Sequence, residues 1–149
     1  MEEKEKKAIE YLEKILHSMG FSPQIESSMN EDGLFLEAKG DSMGLLIGKE
    51  GSTLSAVEFI LNIIINKGSE QRLRINLDAE GYKEKKKLHL EEIAVEAAER
   101  VEREKQPVCL RPMTPYERRI VHLTLRENTS VKTESDGEEP QRYIIVKPL

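Results

Sequence analysis

Gly48-Lys49-Glu50-Gly51 lies between two apolar patterns, Gly44-Leu45-Leu46-Ile47 before it and Leu54, Val57, Leu61 and Ile64 after it. The later residues recur at spacings of three and four, the period of a helix with one buried face, and Ile60 and Ile65 widen that stripe. Asp41 or Ser42 is placed to cap a short first helix. A turn with glycine at both ends lets another backbone approach closely, because no Cβ intervenes and positive φ carries little penalty. The helix that follows points its unpaired N–H groups and positive dipole end at the turn, which suits phosphate. A nucleotide-binding P-loop needs four residues between its glycines and Ser or Thr after its lysine; here Gly44 and Gly48 enclose three residues and Glu50 follows Lys49. A plain turn between helices, with no ligand, is the other reading of the spacing.

Outward from this turn, Ile9, Leu12, Leu16 and Met19 make a helical stripe over residues 8–19, with Gly20 placed to end it. Residues 24–28 and 34–39 read as two strands around the turn Asn30-Glu31-Asp32-Gly33. Leu73, Ile75 and Leu77 alternate with charged or polar residues over residues 72–78, a third strand. The order helix-strand-strand-helix-helix-strand, with G-x-x-G between the fourth and fifth elements, resembles the type II KH fold of bacterial RNA-binding proteins. In the KH module the glycine turn clamps the backbone of about four nucleotides. The resemblance implies a groove beside the turn, with Ile47, Leu54 and Val57 as candidates for its apolar wall; helical spacing alone makes them core.

Residues 82–105 read as a long charged helix with Leu88, Ile93, Ala94, Ala97, Ala98 and Val101 as its apolar members. Lys83, Lys85, Lys86 and Lys87 cluster near its start, either as a solvated face or as phosphate contacts. Gln106-Pro107 ends it. Thr114-Pro115-Tyr116-Glu117 then opens another helix: Thr114 caps, Pro115 suits the first position and Glu117 completes a capping box. Arg118 and His122 are four residues apart and share a face of that helix.

The run Pro112-Met113-Thr114-Pro115-Tyr116-Glu117-Arg118-Arg119-Ile120-Val121-His122, with Gly137-Glu138-Glu139-Pro140 leading into a strand over residues 142–146, is similar to the R-three-H domain. That domain is named for Arg-x-x-x-His and associated with single-stranded nucleic acids. A type II KH domain (residues 1–79) followed by an R-three-H domain (residues 80–149, with the connecting helix 82–105, a small antiparallel sheet and two helices) is an α+β organisation that resembles the Jag family. These are the SpoIIIJ-associated bacterial RNA-binding proteins. Membership implies a cytoplasmic RNA-binding regulator connected with cell elongation, envelope growth or sporulation, and pairing with a small KH-only protein or with itself. Many members carry an additional N-terminal Jag domain, whereas this sequence starts at the first KH helix, and roles resting on that domain are not carried over.

Composition agrees with a protein of this kind. Charged residues make up 34% of the chain and hydrophobic ones 38%, and no apolar run approaches the ~18 residues of a membrane span. The start Met-Glu-Glu-Lys-Glu-Lys-Lys has no signal-peptide character, and the lone Cys109 fits a reducing cytoplasm. Net charge is −5, but it is unevenly placed: residues 1–40 carry 5 basic and 9 acidic groups, and residues 108–149 carry 7 and 6. Any nucleic-acid footprint is therefore a local patch. His17, His89, His122 and Cys109 lack ligand spacing, so no metal or other cofactor is expected. No oxyanion or third-group motif supports a Cys109–His122 nucleophilic pair, which remains a formal alternative to a binding protein.

The residues expected to contact single-stranded RNA, with single-stranded DNA as the alternative ligand, follow from these motifs. Gly48 and Gly51 permit close approach, Lys49 supplies charge, and Ser52 and Thr53 add donors at the helix start. Glu50 stands where the family often has a second basic residue and is expected to weaken binding. Arg118 and His122, with Arg119 beside them and Arg142 and Lys132 at the rim, are expected to hold phosphate or stack on a base. Protonation of His122 in mild acid would strengthen that contact. The rival reading is a dimeric adaptor with weak nucleic-acid binding, joined through exposed apolar residues of the first helix or a sheet edge.

Overall fold

The computed structural model describes residues 1–149 and divides them into two compact units, Met1–Lys83 and Glu84–Leu149. The first unit opens with α1 (Glu2–Ser18). This helix begins six residues before the apolar stripe, where Glu2, Glu3 and Glu5 complement the positive end of its dipole. Ala8, Leu12 and Leu16 are its buried face, while Met19, read as part of the stripe, is the exposed C-cap. Gly20 follows at φ +91°, and its N–H bonds His17 O while Phe21 N–H bonds Leu16 O, the paired closure that a left-handed glycine permits.

Two strands follow, β1 (Gln24–Asn30) and β2 (Gly33–Lys39), antiparallel with Asn30 opposite Gly33. Leu34, Leu36 and Ala38 point into the core, as their alternation requires. Helices α2 (Met43–Ile47) and α3 (Ser52–Asn66) flank a single 3-10 turn, Lys49–Gly51, and β3 (Ile75–Ala79) pairs parallel with β2. Leu54, Val57, Leu61 and Ile65 of α3 close the core over the sheet, with Ile64 only half-buried.

The third strand starts at Ile75 and not at Arg72, because the segment before it is held by side chains. Asn66 takes the Leu73 N–H at 2.7 Å and donates to Leu73 O at 2.8 Å. Asn62 does the same for Ile75, at 2.9 and 2.8 Å, and Glu58 takes the Leu77 N–H at 2.7 Å. Three polar residues at four-residue spacing on α3 thus occupy the outer edge of β3, a backbone edge that would otherwise be open to another strand.

The second unit is carried by α4 (Tyr82–Glu104), whose first two residues belong to the first unit, then β4 (Val108–Cys109), α5 (Pro115–Leu125), β5 (Val131–Asp136) and β6 (Tyr143–Pro148). The sheet is antiparallel in the order β4-β6-β5. Leu90, Ala94, Ala97, Ala98 and Val101 form the buried face of α4. Leu88 is exposed, since it stands about 200° around the helix from Leu90. Met113, Ile120, Val121, Leu125, Val131, Ile144 and Val146 complete this second core.

Candidate nucleic-acid interface

The glycine turn is built by backbone conformation. Gly48 lies at φ 72°, ψ −172°, Glu50 at φ 54° and Gly51 at φ 77°. Ser42 occupies the N-cap of α2 at φ 61°, but neither its side chain nor that of Asp41 caps the helix. Met43 and Leu46 anchor α2 in the core, and Ile47 is half-buried against it. Leu54 and Val57 are core residues, so the apolar side of the turn is the packed interior.

Both glycines are required by the chain's own packing. A Cβ on Gly48 would stand 2.3 Å from Thr53 Oγ1, and one on Gly51 would stand 2.8 Å from the Tyr82 ring. The space that sequence reasoning reserved for a ligand backbone is therefore taken on one side by Thr53 and Tyr82. The two residues between the glycines, Lys49 and Glu50, are exposed, as is Ser52. Gly51 is the N-cap of α3 and no side chain caps the helix start; the Gly51 and Ser52 N–H groups bond Gly48 O and Lys49 O within the turn, and the positive dipole end of α3 lies beside Lys49.

In the second unit the capping box of α5 is complete: Thr114 Oγ1 accepts from Glu117 N–H at 3.3 Å, and Thr114 N–H donates to Glu117 Oε2 at 2.9 Å. Glu117 is nearly inaccessible, with Lys86 Nζ at 2.6 Å and Arg111 Nη1 at 3.7 Å. Burial pushes its carboxyl up, but the Lys86 ammonium, the Thr114 N–H and the Arg111 charge outweigh burial and hold it below the usual carboxylate range.

The Arg-x-x-x-His pair faces inward. Arg118 is 9% exposed; its Nη1 donates to Met113 O at 2.7 Å and its Nη2 to Glu139 Oε1 at 2.5 Å. His122 Nδ1 lies 2.6 Å from Thr133 Oγ1 on β5. Burial, and then the positive charge of Arg118, hold its imidazole below the usual range, so the ring takes up a proton at a lower pH than an ordinary histidine and gains less charge in weak acid than the sequence suggested. Arg142 donates to Gly137 O at 2.6 Å and Ser135 O at 3.3 Å. Arg118 and Arg142 thus both fasten the connection between β5 and β6, which contains the cis bond Glu139-Pro140. Arg119 is exposed and makes no hydrogen bond or ion pair, and Lys132 is likewise exposed.

Of the lysine cluster, Lys83 pairs with Glu58 at 2.7 Å and Lys86 with Glu117, leaving Lys85 and Lys87 outward. Tyr82 and the Glu58-Asn62-Asn66 series escaped the sequence reading. The i, i+4 spacing of the asparagines on an apolar helix is the one signal that would have found the latter. No group of three or more His, Cys, Asp or Glu side chains converges as a metal site, and no helix is long and apolar enough to cross a membrane.

Residues 5–77 match the KH domain of the KhpA/KhpB type and residues 88–148 match the R-three-H domain. Among curated relatives, a Clostridium symbiosum protein named RNA-binding protein KhpB is 43% identical over 142 residues, covering 94% of this chain and 64% of that protein. Proteins of the same name from Bacillus subtilis and Lactiplantibacillus plantarum are 31% and 28% identical, covering 91% and 92% of this chain and 66% and 42% of theirs. The chain thus spans about two thirds or less of the length of these relatives. With both domains matched in order, the chain belongs to the Jag family, in which a KhpA/KhpB-type KH domain precedes an R-three-H domain.

Proposed function

We propose that this chain binds single-stranded RNA through the 48–51 turn and the start of α3, as a cytoplasmic regulator and not an enzyme. The observation that carries this reading is the outward placement of Lys49 beside an uncapped helix N-terminus, on a turn whose backbone is fixed by Thr53 and Tyr82. Lys49 supplies charge, the positive dipole end of α3 adds to it, and Ser52 adds a hydroxyl. The name of the relatives, RNA-binding protein, supports it. Titration of a labelled single strand at several salt concentrations tests it. Neutralising about four phosphates gives a log-log slope near ~−3, and a flat response overturns phosphate clamping.

A second reading, pairing with another copy or with a small KH-only protein, is favoured by α3. Phe59, Ile60 and Ile63 are 67%, 46% and 53% exposed, a larger apolar face than α1 offers with Tyr11 and Met19. A nuclease-treated sample of dimer mass that Ile63→Asp converts to monomer supports this pairing, and monomer mass for the unmodified chain removes the self-pairing form.

A further inference from the structure

The signature residues of α5 face the interior, so the surface of that helix belongs to other side chains. Tyr116, Arg119, Leu123 and Arg126 recur at spacings of three, four and three, and all four are exposed, Tyr116 at 58% and Leu123 at 53%. They fall within about 80° of the helix circumference at 3.6 residues per turn. Arg119 makes no hydrogen bond or ion pair, and Arg126 has only Glu127, 3.9 Å from its Nε. The one carboxylate within α5, Glu117, is buried against Lys86 and Arg111. The outward face of this helix therefore presents an aromatic ring and two guanidinium groups with no carboxylate of its own, on a chain whose net charge is −5.

We infer that this stripe is a binding surface for a single-stranded polynucleotide, with Tyr116 stacking on a base and Arg119 and Arg126 on flanking phosphates. The inference rests on the RNA-binding reading of the chain and assigns a distinct set of contacts to its second unit. An exposed aromatic flanked by exposed guanidinium groups is the composition that sequence-tolerant strand binding uses, since every base offers a face for stacking and every linkage a charge. Residues 116–126 extend about 15 Å along the helix, room for a short run of nucleotides. Arg118 and His122 act on this surface indirectly: they fix the helix against β5 and the β5–β6 connection and so hold its outer face in place.

The test uses the full chain and fluorescein-labelled 12-nucleotide strands of one mixed sequence, as RNA and as DNA, titrated at several salt concentrations. Tyr116→Ala is expected to weaken binding about tenfold with an unchanged salt slope, because stacking carries no counterion release. Arg119→Ala and Arg126→Ala are each expected to reduce the slope by ~0.7. All three positions are exposed, and unchanged circular dichroism confirms folding of each variant. Equal losses on RNA and DNA place recognition in stacking and phosphate, and a loss confined to RNA adds the 2′-hydroxyl; either supports the stripe. Unmodified chain that binds, with all three variants indistinguishable from it in affinity and slope, overturns the stripe alone. Failure of the unmodified chain to bind either strand in low salt overturns the stripe together with the RNA-binding reading.

Discussion

The glycine turn and the fifth helix present opposite parts of themselves. At the turn the two glycines that define the spacing face the packed side, where Gly48 makes way for Thr53 and Gly51 for Tyr82, and the residues between them, Lys49 and Glu50, are outside. In α5 the two residues that define the spacing, Arg118 and His122, are the ones drawn in, and the intervening Arg119 is left to solvent. Each motif is thus a scaffold whose solvent-facing side chains belong to its unnamed residues. A spacing rule reports what the fold needs in order to form, and the presented surface is whatever that scaffold leaves over.

The largest effects test the scaffold half of this contrast. Arg118→Ala removes two hydrogen bonds and leaves the Met113 carbonyl without its partner, so a loss of about 2–4 kcal/mol in urea unfolding is expected. Gly48→Ala is expected to lose about 2–3 kcal/mol, from positive φ together with the clash on Thr53. The double variant Gly48→Ala/Thr53→Ala should recover part of that loss, because it removes the closest atom. If Arg118→Ala instead unfolds like the unmodified chain but loses strand binding, the guanidinium is a ligand contact and the contrast fails.

The presented residues should behave in reverse. Lys49→Asp reverses one charge at a phosphate and is expected to weaken single-strand binding about tenfold, while Glu50→Lys strengthens it several-fold. Both should leave stability within about 0.5 kcal/mol, as exposed substitutions do. Coincident losses of stability and binding at Lys49 would make the turn a structural element only.

Acid acts on the second unit through Glu117. The folded-state pKa of Glu117 lies below its unfolded value of about 4.3, so the stability it contributes is complete above that pH and is lost as the pH falls through the folded pKa. Urea unfolding between pH 6 and pH 3 should therefore show a decline that Glu117→Gln flattens. An equally steep decline in Glu117→Gln would assign the acid sensitivity to other carboxylates.

Much of this was legible before any coordinates. Alternation in Leu34, Leu36 and Ala38 and the three-and-four spacing of Leu54, Val57 and Leu61 report burial directly, because periodicity is the imprint of one buried face. The capping box at Thr114 and Glu117 was legible because its chemistry is local. What escaped was set by contacts distant in sequence. Tyr82 reaches Gly51 across 31 positions, and Asn62 reaches Ile75 across 13. Direction escaped as well: Arg118 and Arg119 are adjacent in sequence, and only the position of Glu139 and Met113 decides which one turns inward.

The smallest effect concerns His122. An ordinary imidazole titrates near 6.5, so an outward His122 would gain charge between pH 7.5 and pH 6 and steepen the salt dependence of strand binding by roughly 0.5. The half-buried ring beside Arg118, engaged with Thr133, is held below that range and gains less charge over this interval. Because the folded ring gives up its proton more readily than the unfolded one, its contribution to stability is full above about 6.5 and declines as the pH falls toward the folded pKa. His17 and His89 are exposed and common to the unmodified chain and a His122→Gln variant, so comparing the two isolates the ring in α5. The expected result is a pH response of the salt slope that differs between the two by less than the roughly 0.5 of an outward imidazole. A response that vanishes in His122→Gln would turn the imidazole outward, and with it the sense in which α5 differs from the glycine turn.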